Sequence, residues 1–564
     1  MKRHRRLSFF RSCPDAKVAL PGPGRASSLG MLASRLLAAA VVFGPLFGGA
    51  SALSGLGASA ALGQTIDRND TYVRQLNAPI DRVSETNRAY PVYFEAWSAI
   101  DADDVQAPLG LRSPFTIGSP QMRDAMGWAG RPAQQEALSI LLEKRDQRSA
   151  SEEARNATFR QIIGLPYGTS GLPLDMELSD FAVYINENLL YTADFAYLDK
   201  VEQLYMLLMA EAHRRAEQGA PSDGLDPMLS AVRMARQLTD RAYTPEVTMG
   251  MDMLRKASTL ARAYLWHYRE GLTVDDFASV ATEFEMLRPL QIPLPRANRL
   301  IGEQLVVEVF DPASNLPNAD FAQVMAEFES RARPLNRFHA SRRWREVIKA
   351  IDDFAGDDVT KKIYQPEIAQ EMENIDEDFR RRWGLPLHDA VHSSETLLQK
   401  LDPVREAIVV ATFDDLVQMR ELRLRTIADV RGTAIAAGVG AFQKRDGGTP
   451  PLTLNQIYPT FVRLEETLVD PYNTDYEYFE YFVARNNDSR ILQWTFDLET
   501  PGGTLSLPAG VPLLYSVGPN SRDDGAARHL ENLSGTQDSD IVYWIPVNFI
   551  VAEDEEDVRF SPLP

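Results

Sequence analysis

The run Leu513-Leu514-Tyr515-Ser516-Val517-Gly518-Pro519-Asn520, then Asp523-Asp524-Gly525, then Asp538-Ser539-Asp540-Ile541-Val542-Tyr543-Trp544, sets the end of this chain apart from everything before it. An apolar segment enters a Gly/Asn/Asp loop, and a second apolar segment leaves it behind paired carboxylates. Aromatic and β-branched residues bounded by turn formers read as strands, so Val511–Val517 and Ile541–Val551 are expected in a sheet. Ile491–Phe496 adds another strand, and Gly502-Gly503 a hairpin turn. Tyr476, Tyr478, Phe479, Tyr481 and Phe482 read as half-buried sheet surface and core. The alternative for that run is a sugar or peptide platform.

Four late acids, Asp523, Asp524, Asp538 and Asp540, can converge with main-chain oxygens on a structural calcium, which takes about six to eight oxygens. The competing reading makes them turn formers that cap local backbone. The spacing is not that of an EF-hand.

Upstream the pattern is helical. A long helix is expected over about 403–443, with Leu424, Ile427, Val430, Ala434, Ala437 and Ala441 on one stripe. Its second half is rich in Ala and Gly, which suits close approach of another backbone. Asp446-Gly447-Gly448-Thr449-Pro450-Pro451 ends it. Further back, three apolar stripes recur at spacings of three and four. They are Leu198/Val201/Leu204/Leu208/Ala212, Leu225/Leu229/Val232/Ala235/Leu238 and Leu254/Ala257/Ala261/Tyr264/Tyr268. Thr273 with Asp276 marks another helix start. Residues 302–310 read as helix or strand, 319–353 as helix, and the charged stretch within 132–160 as a solvated helix. The short breaks between these segments suggest an antiparallel helical array, and no fixed repeat period occurs.

The chain has 564 residues and a formal charge of −20. Its first 63 residues carry eight Lys/Arg and one Asp, so the remainder holds about −27 once that +7 is set aside. So acidic a body argues against nucleic acid and against docking on anionic lipid. After Arg35 comes the apolar core Leu36-Leu37-Ala38-Ala39-Ala40-Val41-Val42-Phe43, then Pro45, glycines and small residues to Ala61. That is the plan of a secretory signal, with an uncleaved membrane anchor as the alternative. Met31 stands where a signal of ordinary length would start. Cys13 is the single cysteine and lies ahead of the apolar core. An exported product would therefore hold no disulfide, and thiol catalysis and cysteine–zinc sites are excluded.

The order from about 426 to 546 resembles the globular part of the major pseudopilin of type II secretion. The residues that carry the likeness are the helix end Phe442-Gln443-Lys444-Arg445-Asp446-Gly447-Gly448-Thr449-Pro450, the second helical piece Leu454–Leu468 and Asp470-Pro471-Tyr472. The final loop, opened by Leu514-Tyr515-Ser516-Val517-Gly518 and closed by Asp538-Ser539-Asp540-Ile541, completes it. The resemblance implies a helix followed by a small antiparallel sheet, with Asp538 and Asp540 as calcium ligands beside carbonyls of the 518–525 loop. It covers about a fifth of the chain. Gly30-Met31 precedes an apolar run, but the fifth residue of that run is Arg35, where the family's processing site has Glu. The same ending resembles that of uncharacterised helical bacterial envelope proteins, a likeness that brings no activity with it.

Other constellations are weaker. His388 and His392, four apart, would share a helix side and with Asp389 or Glu395 could hold zinc, though no third ligand can be named. Asp352-Asp353 with Asp357-Asp358, and Asp101 with Asp103-Asp104, could be paired acids for glycoside chemistry, against the reading of adjacent acids as solvated loops. Arg342-Arg343-Trp344-Arg345 and Arg380-Arg381-Arg382-Trp383 are expected to pair within the protein. No nucleophile elbow, phosphate loop or dinucleotide fingerprint occurs.

The sequence thus predicts an α+β protein, predominantly α-helical. A leader and signal or anchor (1–63) precedes a helical domain (64–402), a pseudopilin-like module (403–552) and an acidic tail (553–564). The expected role is an exported cell-envelope scaffold or interaction protein, extracytoplasmic and non-enzymatic. It would have an unidentified protein partner and touch membrane only through its N-terminal segment. The alternative is an envelope hydrolase or carbohydrate-active protein using acids of the helical body.

Overall fold

The computed structural model describes residues 70–100, 140–311, 365–402 (His388 excepted), 406–484 and, further on, 491–495, 504–506, 510–523, 525–526, 528–530 and 540–544, with Ala313, Gln323 and Phe328. These residues are mostly helical, with small sheets toward the end. Ten helices organise them: α1 (Tyr90–Ser98), α2 (Arg145–Thr158), α3 (Tyr197–Glu217), α4 (Pro221–Leu238), α5 (Thr244–His267), α6 (Val274–Met286), α7 (Ala297–Val309), α8 (Gln365–Gly384), α9 (Ala407–Thr412) and α10 (Leu416–Arg445).

The three upstream stripes form α3, α4 and α5. Gly219, at φ +84°, ends α3 where a side chain would be strained, and Pro221 opens α4. The predicted helix start at Thr273 is real. Its hydroxyl accepts from Asp276 N at 3.2 Å, and the Asp276 carboxylate accepts from Thr273 N at 2.8 Å. Residues 302–310 resolve as helix, within α7.

Three expectations need correction. The charged segment before 160 is solvated on one face only: Arg145, Asp146, Arg148 and Glu152 are exposed, while α2 buries Gln147, Ala150, Ser151, Ala154 and Ala157 against α1, α3 and α4. Alanine and short polar groups let its backbone come close enough to count as core. The single helix expected over 403–443 is two. Phe413–Asp415 separates α9 from α10, and the Asp415 carboxylate caps α10 by accepting from Val417 N at 2.9 Å. The helical piece at 454–468 is two short turns, Leu454–Gln456 and Glu465–Leu468. The helix expected over 319–353 lies outside the described residues, apart from Gln323 and Phe328.

Helix α10 holds the fold together. From Arg423 to Gln443 it is buried on every side, packed on α5 and α6 and under two strands. The sequence suggested a neighbouring backbone beside its small residues, but the neighbours of its glycines are side chains, rings at Gly432 and Gly440 and the aliphatic Val462 and Ile457 at Gly438. A Cβ on Gly432 would lie 2.5 Å from the Tyr543 ring, and one on Gly440 would lie 2.4 Å from that of Phe277. Both rings are buried, and each contributes about 1.5–3 kcal/mol by leaving water.

The sheet on α10 has the order β1 (Glu480–Val483), β4 (Pro512–Ser516), β6 (Ile541–Trp544), all antiparallel. Tyr481 faces Leu514, and Tyr515 faces Val542, with an irregularity between Leu514 and Tyr515. The central β4 is buried throughout, as is β6. Trp544 meets Trp266 of α5 edge-on at 5.3 Å, and Tyr543 meets Phe479 at 5.7 Å. A second sheet pairs β2 (Ile491–Thr495) antiparallel with β3 (Thr504–Ser506) and parallel with β5 (Arg528–Leu530). The strand expected to run to Val551 is described only as far as Trp544, and Gly502-Gly503 lies outside the described residues. In the aromatic run Phe479 is buried, Tyr478, Tyr481 and Phe482 are half-buried, and Tyr476 is exposed.

Candidate functional site

Two of the four acids singled out at the end of the chain are described. Asp540 opens β6 with no exposure, and its Oδ2 accepts from Ala526 N at 2.6 Å. Asp523 is exposed. Its Oδ1 accepts from Gly525 N at 2.8 Å and from the Tyr515 hydroxyl at 2.9 Å. Both therefore fasten the same loop, one from β6 and one from within, across backbone that turns left-handed at Gly518, Ser521, Gly525 and Ala526. Short carboxylates that take up loop N–H groups are what such a turn requires. An oxygen-rich loop of this chemistry also suits calcium. Asp524 and Asp538 lie outside the described residues. Among the described residues, no three His, Cys, Asp or Glu side chains group as a metal site.

A third acid of this region, Asp470, anchors the sheet. It is fully buried and accepts from Ser516 Oγ (2.8 Å), Val517 N (2.9 Å) and Tyr472 N (3.0 Å), which ties the Asp-Pro turn to the end of β4. Burial raises its pKa, and these hydrogen bonds only partly oppose the rise.

Deeper charges are matched within the fold. Glu246, at the third position of α5, receives Tyr197 Oη (2.6 Å) and Arg241 Nε (2.8 Å) on Oε1, and Tyr167 Oη (2.8 Å) on Oε2. Asp429 of α10 lies 3.1 Å from Arg255 Nε, 3.3 Å from Arg425 Nε and 3.9 Å from Arg262 Nη2. Burial opposes its ionisation, but Arg425, Arg255 and Arg262 together hold its pKa below the usual carboxylate range.

Two concavities meet at Arg288, just past α6. A cleft of about 270 Å³ is lined by Arg160, Arg233, Arg236 and Arg288 with Asp240 and Glu283. Arg233 pairs with Glu283 at 2.6 Å and Arg236 with Asp240 at 2.6 Å. A cavity of about 350 Å³ lies on the other side, between the end of α6 and α10. Its wall is Phe284, Val430, Ala434 and Leu464, with Glu285, Arg288, Arg431 and Glu466 as the charged groups. Glu285 is engaged, accepting from Arg463 N (3.0 Å), Leu464 N (2.9 Å) and Thr467 Oγ1 (3.1 Å). Arg288 sits at φ +46°, a left-handed conformation that costs a non-glycine residue about 1–2 kcal/mol. Arg431 is 7% exposed, and burial pushes its pKa down to about 10 while Glu466 and Asp470 pull the other way.

His392 does not sit on an α-helix. It lies in a 3-10 turn, Ala390–Ser393, capped by Asp389, with Nε2 2.9 Å from Pro386 O. Helix α8 ends at Gly384, two residues before Pro386, and His388 lies outside the described residues. The acid pairs at 101–104 and 352–358 and the cluster 342–345 also lie outside them. The other basic run pairs internally, as its setting in an acidic chain suggested. Arg380 reaches Asp376 at 2.7 Å, and Arg381 and Arg382 reach Asp378 at 2.9 and 3.0 Å. Arg288 and Arg431 were not singled out from sequence. The available signal was an arginine set in a stretch of α10 otherwise built of Val, Ala, Gly, Thr and Ile.

Searches against protein-family models, curated proteins and solved structures found no match to this chain.

Proposed function

We propose that this chain is an exported scaffold or interaction protein of the cell envelope that works without catalysing a reaction. In this reading residues 403–552 form a pseudopilin-like helix-and-sheet module, and calcium steadies its last loop. The observation that carries the non-catalytic part is the state of four buried carboxylates. Glu246, Asp429, Asp470 and Glu285 each have three or more donors or cations from the protein around them. A general acid or base must instead present its proton-transferring oxygen to a substrate. The order of a long helix, an Asp-Pro turn and an antiparallel β1-β4-β6 sheet entered through Asp540 supports the module reading, and the leader's charge and apolar pattern supports export.

Fractionation of cells making the full chain, with and without residues 1–63, tests export: the full chain is expected outside the cytoplasm and the shortened one within it. A full chain retained in the cytoplasm overturns the envelope role. Melting with calcium and with chelator, beside Asp540→Ala, tests the loop. Calcium is expected to raise Tm for the parent chain and not for the variant. No change for the parent at saturating calcium removes the metal from the reading.

A further inference from the structure

We propose that the 350 Å³ cavity between α6 and α10 binds a small carboxylate carrying an apolar group, held by Arg431 and Arg288. This site goes beyond the envelope role and does not depend on it. Arg431 reaches the cavity wall from a helix that is buried on every side. Its Nη1 donates to Val469 O at 2.9 Å, and among the described residues no ion pair or further hydrogen bond meets its guanidinium. Neighbouring arginines of α10 are better engaged. Arg425 faces Asp429 at 3.3 Å, and Arg423 donates to Trp383 O at 2.9 Å and stacks on that ring at 4.4 Å. A guanidinium offers about five N–H donors in a fork that matches a carboxylate, and only one hydrogen bond to the protein, to Val469 O, is made here among the described residues. An anion entering the cavity would take up the donors that face it. The depressed pKa of Arg431 still leaves it cationic near neutrality.

Arg288 supplies the second cation from the lip. It has no side-chain hydrogen bond or ion pair among the described residues. Its left-handed backbone is maintained by Arg288 N to Glu285 O (3.4 Å) and Gln291 N to Arg288 O (2.8 Å). A strained residue kept at the rim of a cavity is the kind of outlier from which a functional hypothesis can be drawn. Leu464 offers an exposed apolar contact on the wall, backed by the buried Phe284 and Val430, and the volume is at the small end for ligand sites. Exposed Glu466 on the same wall suits an ammonium. An apolar α-amino acid therefore matches every group present. The same carboxylate-plus-side-chain chemistry also occurs at the C-terminus of a polypeptide.

The test is isothermal titration and melting of the full chain with L-phenylalanine, 3-phenylpropionate, L-phenylalaninamide and acetyl-Gly-Gly-Phe as the free acid. Saturable binding of phenylalanine, with phenylpropionate equal or weaker and the amide inactive, is expected. Arg431→Gln and Arg288→Asn should each weaken binding by about tenfold or more, as loss of a charged hydrogen bond does. Asn tolerates the left-handed backbone, so Arg288→Asn should leave the ligand-free Tm unchanged or higher, and it carries the test if Arg431→Gln fails to fold. Peptide binding equal to that of phenylalanine assigns the site to polypeptide ends, and peptide binding tenfold weaker assigns it to the free amino acid. The proposal is overturned if no carboxylate saturates by about 10 mM. Equal binding of the amide, or unchanged binding in Arg288→Asn, overturns it as well.

Discussion

Replacing Asp429 with alanine removes the carboxylate shared by Arg255, Arg262 and Arg425, of which Arg255 also has Asp252 at 3.7 Å. At an effective dielectric of about 20, the two contacts near 3.2 Å are each worth roughly 5 kcal/mol and the one at 3.9 Å roughly 4 kcal/mol before desolvation. Desolvation cancels most of this, and loss of one partner from a buried pair typically costs about 3–5 kcal/mol. Two almost fully buried guanidiniums, Arg262 and Arg425, would lose their carboxylate while Arg255 keeps Asp252, so a loss near the upper end, about 4–5 kcal/mol, is expected. With an unfolding entropy of roughly 1 kcal/mol/K for a body of this size, that is about a 4–5 °C fall in Tm. The assay is melting of the parent chain, Asp429→Ala, Asp429→Asn and the double change Asp429→Leu/Arg425→Met. Asn should lose about 3 kcal/mol, because an amide oxygen still accepts but the charge is gone. The double change should recover part of the alanine loss by removing one stranded cation. A fall of under about 1 °C for Asp429→Ala would refute the claim that this carboxylate neutralises the cluster. The sign with pH follows. A folded pKa held below the unfolded value stabilises above the unfolded pKa, and that stability is lost as pH falls through the folded one.

Asp470 should do the opposite. Its folded pKa is raised, so its contribution is fully present below the unfolded pKa and is lost as pH rises through the folded value; Asp470→Asn should flatten that part of the Tm-against-pH curve relative to the parent. Gly432→Ala places a methyl 2.5 Å from the Tyr543 ring and is expected to cost about 1–3 kcal/mol by overpacking, with a change in near-ultraviolet circular dichroism. Thr273→Ala removes the cap of α6 and should cost about 1 kcal/mol in a melt, whereas Thr273→Ser should cost less.

The helices were legible where local chemistry decides them. Three- and four-residue spacing located α3, α4 and α5, and Thr273 with Asp276 fixed the start of α6. The break before α10 was missed because Phe413-Asp414-Asp415 carries neither Gly nor Pro. The cap is an aspartate in a run that still reads as periodic. Helix α2 was misjudged because Ala150, Ala154 and Ala157 bury by closeness, which a count of large apolar residues does not register. The cavity was not legible at all. It depends on α6 meeting α10 and the 464–467 turn, and contacts such as that between Glu285 and Leu464 join residues 179 apart. Sequence separation of that order leaves no local trace, so Arg431 reads as one more charge until its surroundings are in place. Of the four acids read from sequence as calcium ligands or, in the competing reading, turn formers, Asp540 and Asp523 fasten the final loop by accepting from its backbone N–H groups.

The edge-on contact of Trp266 with Trp544 gives the molecule a built-in optical gauge. One indole belongs to α5 and the other to the last described strand, so their coupled near-ultraviolet signal exists only once β6 has settled on the helices. Backbone signal at shorter wavelength is dominated by the helices. Refolding watched in both windows would reveal whether strand docking lags behind helix formation, as the long chain separation between these partners leads one to expect.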